Sequence, residues 1–234
     1  MLLAFRRIQS DAQSFGWSAA VKSSVLRFSR RIVDFHSLRC MVIKSVPPEV
    51  VATDARYECR FISIPELRKF APDSAYELSD EFLDHAERKG DECYAILDGE
   101  KLASYGWYSH SSTKLESGWR LRFDQRYIYM FKGFTLPAYR GQRLHAVGMG
   151  RALNAYVQRG RAGIVSYVEA QNLSSLKSCY RMGYADFGKV WLLGRRWSGV
   201  SAGCTKYGFS VARGTSALVA AEVEMGQPLP VQRS

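Results

Sequence analysis

Phe134-Thr-Leu-Pro-Ala-Tyr-Arg-Gly-Gln-Arg-Leu-His-Ala146 joins an apolar, strand-like segment to a helix-like one, and its reading decides the fold. Where a strand turns tightly into a helix, backbone N–H groups and the positive end of the helix dipole converge, an arrangement suited to phosphate. The surroundings agree. From Arg126 to Val168 there is no aspartate or glutamate, while Arg126, Lys132, Arg140, Arg143, Arg151, Arg159 and Arg161 all fall within it. A polyphosphorylated ligand is the economical expectation.

Working outward, Tyr127 to Leu136 reads as the strand before the turn. Met149, Leu153, Tyr156 and Val157 mark one buried face of the helix after it. Ile164 to Val168 is β-branched and aromatic, hence a strand, and Asn172 to Met182 is a short helix closed by Gly183. Upstream, Tyr57 to Ser63 alternates like a strand, Pro65 opens a short helix, and Ser79-Asp-Glu-Phe caps another that runs to Lys89 and stops at Gly90. Asp98-Gly99 between Glu92–Leu97 and Leu102–Ser109 signals a hairpin. Lys189–Leu193 and Lys206–Val211 complete the strands. This order defines an α/β (α+β) domain whose mixed, largely antiparallel sheet is flanked by helices.

The chain has 234 residues, 47% hydrophobic and 13% aromatic, enough for one full core with extensions. Residues 1–52 read as a basic extension, helical to about residue 46, with Pro47-Pro48 breaking the helix before a linker. The domain proper spans 53–212, and 213–234 form a tail expected to be poorly ordered at its end. In the extension Val21, Val25, Ile32 and Phe35 recur at near-helical spacing among arginines. Such a helix either lies on an anionic membrane or packs on the domain with its arginines in water. The net charge of +11 favours an anionic partner without choosing one, and no recognised nucleic-acid motif accompanies it. The five cysteines lie far apart with no CxxC pair, which argues for reduced thiols, a cytoplasmic protein and no metal site.

Two motifs together support a family resemblance. Leu136-Pro-Ala-Tyr-Arg-Gly-Gln-Arg-Leu-His-Ala146 is similar to the Pro-x-x-Arg-Gly-x-Gly-x-Gly loop of the GCN5-related N-acetyltransferases. Asn172-Leu-Ser-Ser175, followed by Met182-Gly183-Tyr184, is similar to that family's Asn-x-x-Ser helix ending in Gly-Phe. The resemblance implies acetyl-CoA or another acyl-CoA as co-substrate. Its phosphates would be held by Arg140, Gly141, Gln142, Arg143, Leu144, His145 and Ala146, its pantetheine arm by Phe134, Thr135 and Leu136, with Asn172 and Ser175 alongside. Gly133 is compatible with a bulge that splays the strand, or with simple relief of crowding. Arg143 and His145 stand where the family has glycines; Arg143 in ordinary helical conformation would still offer its N–H, and His145 is read as structural, at the pyrophosphate end.

The resemblance also implies direct attack by an acceptor amine, from a small molecule, sugar or peptide, with the oxyanion held near Thr135 or Leu136. Glu169 is the nearest acid for the role of base, acting through water, or else a simple strand-end acceptor. The family's acid is a tyrosine four residues before the closing glycine; here that position is Cys179, with Tyr180 one step of about 100° round the helix. Trp107, Tyr108, Trp119 and Arg122 suit an acceptor pocket or the core equally. The alternative to an enzyme is a catalytically degenerate acyl-CoA-binding protein of the same fold.

Overall fold

The computed structural model describes residues 2–213. Two helices come first, α1 (Leu2–Phe15) and α2 (Trp17–Val33), then β1 (Phe35–Ile43), α3 (Pro48–Val51), β2 (Tyr57–Ile62), α4 (Ile64–Leu67) and α5 (Asp80–Lys89). β3 (Glu92–Asp98) and β4 (Lys101–Ser109) form the expected hairpin, followed by β5 (Thr113–Lys114), β6 (Trp119–Arg122), β7 (Tyr127–Thr135) and α6 (Leu144–Gln158). β8 (Gly163–Glu169), α7 (Leu173–Arg181), β9 (Ala185–Leu193), β10 (Trp197–Val200) and β11 (Ser210–Arg213) close the chain. The tail expected after residue 213 lies outside the described residues.

The main sheet has eight strands in the order β10-β9-β1-β8-β7-β4-β3-β2. Its pairs are antiparallel except β7 with β8, which run parallel. A three-stranded sheet, β11-β6-β5, covers part of one face. On that face Leu38, Cys40 and Val42 pack with Trp119, Leu121, Phe123 and Phe209. On the other, Met41 and Ile43 pack with Met149, Leu153 and Tyr156 of α6. The period of two along β1 thus feeds two cores.

β1 corrects the expectation of helix to residue 46 and a domain beginning at 53. It occupies the middle of the sheet, between β9 and β8. A strand buried on both faces carries no polar alternation, so Leu38 to Ile43 resembles a buried helix segment in sequence. What ends α2 is Asp34, left-handed at φ 51°. Pro48 then sits in the first turn of α3 instead of breaking a longer helix. The strand expected at Lys206–Val211 also moves: Ala202–Tyr207 is a 3-10 turn, and pairing begins at Ser210, after the left-handed Gly208.

Candidate active site

The parallel pairing of β7 with β8 lasts three residues, Tyr127–Tyr129 against Gly163–Val165. β8 stays hydrogen-bonded to β1 as far as Glu169, whereas β7 follows β4 away from it. The divergence begins at a bulge: Trp107 opposes Lys132 and Tyr108 opposes Met130, leaving Phe131 without an opposite residue. At the fork, Ser166 Oγ donates to the Met130 carbonyl at 2.8 Å. The result is a slot of about 340 Å³, lined by Met130 to Gly133 on one side, Ser166 to Glu169 on the other, and Asn172, Ser175, Cys179 and Tyr184 beyond. That volume lies at the lower end of the roughly 300–1,000 Å³ usual for small-molecule sites.

The splay therefore exists, but Gly133 is not its bulge. Gly133 relieves crowding: a Cβ there would meet His145 Cε1 at 2.3 Å. His145, expected at the pyrophosphate end, lines the slot beside Gly133. Desolvation lowers its pKa from the usual histidine value, which favours the neutral ring.

The turn into α6 presents the cradle. The first helical bond runs from Val147 N–H to the Arg143 carbonyl at 3.1 Å, so the N–H groups of Leu144, His145 and Ala146 precede the ladder. Gly141 takes φ 85°, and Arg143 is left-handed at φ 61° and ψ 13°, which corrects the helical conformation expected of it. An L-residue pays about 1–2 kcal/mol for that geometry, which explains why a glycine suits the position. The Arg140 guanidinium folds back, Nε donating to the Thr135 carbonyl at 3.3 Å. The Gln142 side-chain oxygen accepts from Tyr57 at 2.6 Å and from Arg56 at 3.2 Å. These residues border a second hollow of about 220 Å³, with Arg143 and Asp54. Sequence reasoning did not single out Arg56 or Tyr57, whose role comes only from a contact 85 residues along the chain.

Other expected residues divide. Phe134 stacks on Tyr105 and Leu136 packs in the same core cluster, both away from the slot lining. The Leu136 N–H is committed to the Ala103 carbonyl at 3.0 Å, which removes it as an oxyanion donor. Thr135 Oγ1 pairs with Ser104 Oγ at 2.9 Å. Asn172 caps α7 by accepting from the Ser175 N–H at 3.2 Å, and both residues line the slot. Tyr180 turns outward, 44% exposed, and donates to Asp186 at 2.7 Å. Cys179 faces the slot, its thiol pushed up to about 11 by burial. Tyr184 and Tyr167 both line the slot; Tyr184 is buried, its hydroxyl 3.8 Å from Met130 Sδ, with its pKa raised by desolvation. Trp107, Tyr108 and Trp119 are core, at 0%, 0% and 6% exposure.

Glu169 lies at the slot's edge and does not stand alone. Its Oε1 is 3.0 Å from His36 Nδ1, and His36 Nε2 is 3.0 Å from Asp34 Oδ1. His36 is 2% exposed, while the Asp34 side chain is 51% exposed. A chain of three titratable groups thus leads from slot to surface. The ring satisfies both neighbours only by donating at both nitrogens or by sharing a proton held on a carboxyl. Gln171 Nε2 also donates to Glu169. Asp34 and His36 lay in the segment read as helix, where only their order along a strand end could have marked them.

Among solved structures, similarity extends to an acetyltransferase of the GNAT family from Novosphingobium aromaticivorans, at 14% identity and TM-score 0.46, covering 77% of this chain and 66% of that one. A GCN5-related N-acetyltransferase-like protein from Streptococcus suis has 16% identity and TM-score 0.47, with coverage of 76% and 66%. A tandem GNAT protein of the clavulanic acid biosynthesis pathway has 15% identity and TM-score 0.48, with coverage of 74% and 57%. The chain therefore spans just under two thirds of the length of the first two. No protein-family model and no curated protein matches the chain. At these identities and TM-scores the likeness assigns no chemistry, which rests on the slot and cradle.

Proposed function

We propose that the chain is an N-acyltransferase that moves an acetyl or other acyl group from acyl-CoA to an amine. The observation that carries this reading is the divergence of β7 from β8 beside the first N–H groups of α6, which precede its hydrogen-bond ladder. An extended, amide-bearing arm can lie along a splayed strand edge as an added strand, while phosphates take the helix N-terminus. The slot suits the arm by volume, and the turn suits the phosphates by its successive N–H groups, with Arg143 and Arg56 at the neighbouring hollow and Arg140 in the turn itself supplying charge.

Acyl-CoA supplies an activated thioester carbon. The protein's own contribution is alignment, which can be worth about 7–11 kcal/mol, and proton handling. Glu169 takes the proton that an ordinary amine carries near pH 7. His36 holds Glu169 in place and, with Asp34, gives that proton a route to solvent. The departing sulfur takes a proton from Tyr184 or from water. Acceptor identity stays at the level of an amine, because the aromatic residues expected to select it are core.

A second reading, an acyl-CoA-binding protein without turnover, is favoured by Cys179 facing the slot where the family's tyrosine would stand. Two measurements separate the readings. Acetyl-CoA at saturating concentration should raise the melting temperature by several degrees, since 100 Kd of ligand stabilises by about 2.7 kcal/mol. Arg140→Glu should remove that shift, and no shift with the parent chain at millimolar acetyl-CoA would overturn both readings. CoA release with a panel of amines then distinguishes enzyme from binder.

A further inference from the structure

α2 turns its apolar stripe away from the protein. Its inner side is made of small residues, with Ala20 at 0% and Ser23 at 1% exposure, and Ser23 Oγ donates to the Gln171 carbonyl at 3.0 Å. Trp17, Val21, Val25, Phe28 and Ile32, spaced by four, four, three and four residues, are instead 66%, 54%, 57%, 66% and 65% exposed. At about 100° per residue they fall within one arc of about 80°, a single continuous ridge. Packing on the domain, the plainer expectation for this helix, therefore uses a different face from the apolar one. Apart from Val33 at the end of α2, the other exposed large apolar side chains, such as Val157 and Trp197, lie far from it in sequence, so the clustering on α2 calls for a partner.

Charge selects the partner. Helices α1 and α2 contain Arg6, Arg7, Lys22, Arg27, Arg30 and Arg31 against the single acid Asp11, which is paired with Arg27 at 2.9 Å. A second copy would bring together two helix pairs of the same net charge, whereas an anionic lipid surface attracts that net charge and takes up the apolar ridge. We infer that α2 docks on an anionic membrane surface, with Trp17, Val21, Val25, Phe28 and Ile32 entering the interface. No helix among the described residues is long and apolar enough to cross a bilayer, so the contact is with the surface. The helix is linked to the slot through Gln171, whose carbonyl accepts from Ser23 and whose Nε2 donates to Glu169 in the slot lining.

The test is co-sedimentation of the full chain with phosphatidylcholine vesicles, with and without phosphatidylserine, alongside sedimentation velocity of the protein alone. The chain should pellet with the mixed vesicles and not with phosphatidylcholine alone. Val25→Asp combined with Phe28→Asp should weaken that binding about tenfold or more. These exposed positions should leave the melting temperature near that of the parent, which separates loss of docking from loss of fold. Equal pelleting with both vesicle types, no pelleting with either, or a self-association that the double variant abolishes without any vesicle binding would each overturn the inference. None of these outcomes depends on acyltransfer.

Discussion

The imidazole of His145 occupies the space that any side chain on Gly133 would need, with Cε1 2.3 Å from an ideal Cβ. This contact joins the splayed strand to the first turn of α6, and so couples the slot to the cradle. Gly133→Ala should overpack the junction and cost about 1–3 kcal/mol in denaturant unfolding. His145→Ala in the same chain should return most of that loss. Strictly additive effects of the two substitutions would disprove the coupling.

Arg143 holds a left-handed conformation at the start of α6. Arg143→Gly should relieve about 1–2 kcal/mol of local strain while adding about 0.5–1 kcal/mol of unfolded-state entropy. The expected outcome is a net change between about 0 and 1.5 kcal/mol in favour of the glycine, read as an equal or higher urea midpoint at unchanged slope. A lower midpoint would mean that Arg143 makes contacts worth more than its strain.

Glu169 and Tyr180 should behave oppositely. Glu169→Gln keeps an acceptor for His36 but removes the base, so turnover of a competent amine should fall about 10²- to 10⁴-fold, with the deficit shrinking as pH rises and more amine arrives deprotonated. Tyr180→Phe, at the outer surface beside Asp186, should stay within about twofold of the parent. Equal effects would return Tyr180 to the chemistry.

Glu92 links α6 to the sheet through His110 Nε2 at 2.7 Å and Arg159 Nη1 at 2.9 Å. Burial alone would raise its pKa, but the contacts with His110 and the Arg159 guanidinium outweigh that and hold it at about 2. A carboxyl depressed on folding stabilises above its unfolded value, near 4.3, and loses that contribution as pH falls through about 2. Glu92→Gln should therefore cost about 1–2 kcal/mol at pH 7, allowing for solvent screening, and progressively less between about pH 4.5 and 2. A penalty that is constant across that window would exclude the linkage.

Legibility followed the range of the interactions. The capped helix Asp80–Lys89, the Asp98-Gly99 hairpin and the strand-turn-helix around Arg140 were readable because caps, turns and periodicity act within a few residues. β1 was not, because its burial on both faces erases the alternation that marks a strand. Of the residues that the sequence proposed for the site, Asn172, Ser175 and Glu169 line the slot, whereas Tyr180 turns away and Tyr184 takes the position beside Met130.

By itself, the order of residues from Phe134 to Ala146 determined a strand, a sharp turn and a helix whose first N–H groups are open, since backbone geometry there depends on near neighbours. Only the tertiary structure decided what faces that turn. The fork between β7 and β8, the meeting of His145 with Gly133, the line from Glu169 through His36 to Asp34, and the outward ridge of α2 all join residues that the sequence separates or leaves undirected. Their relation is set by strand order and packing, which minimise exposed surface over the whole chain and cannot be read from any local window.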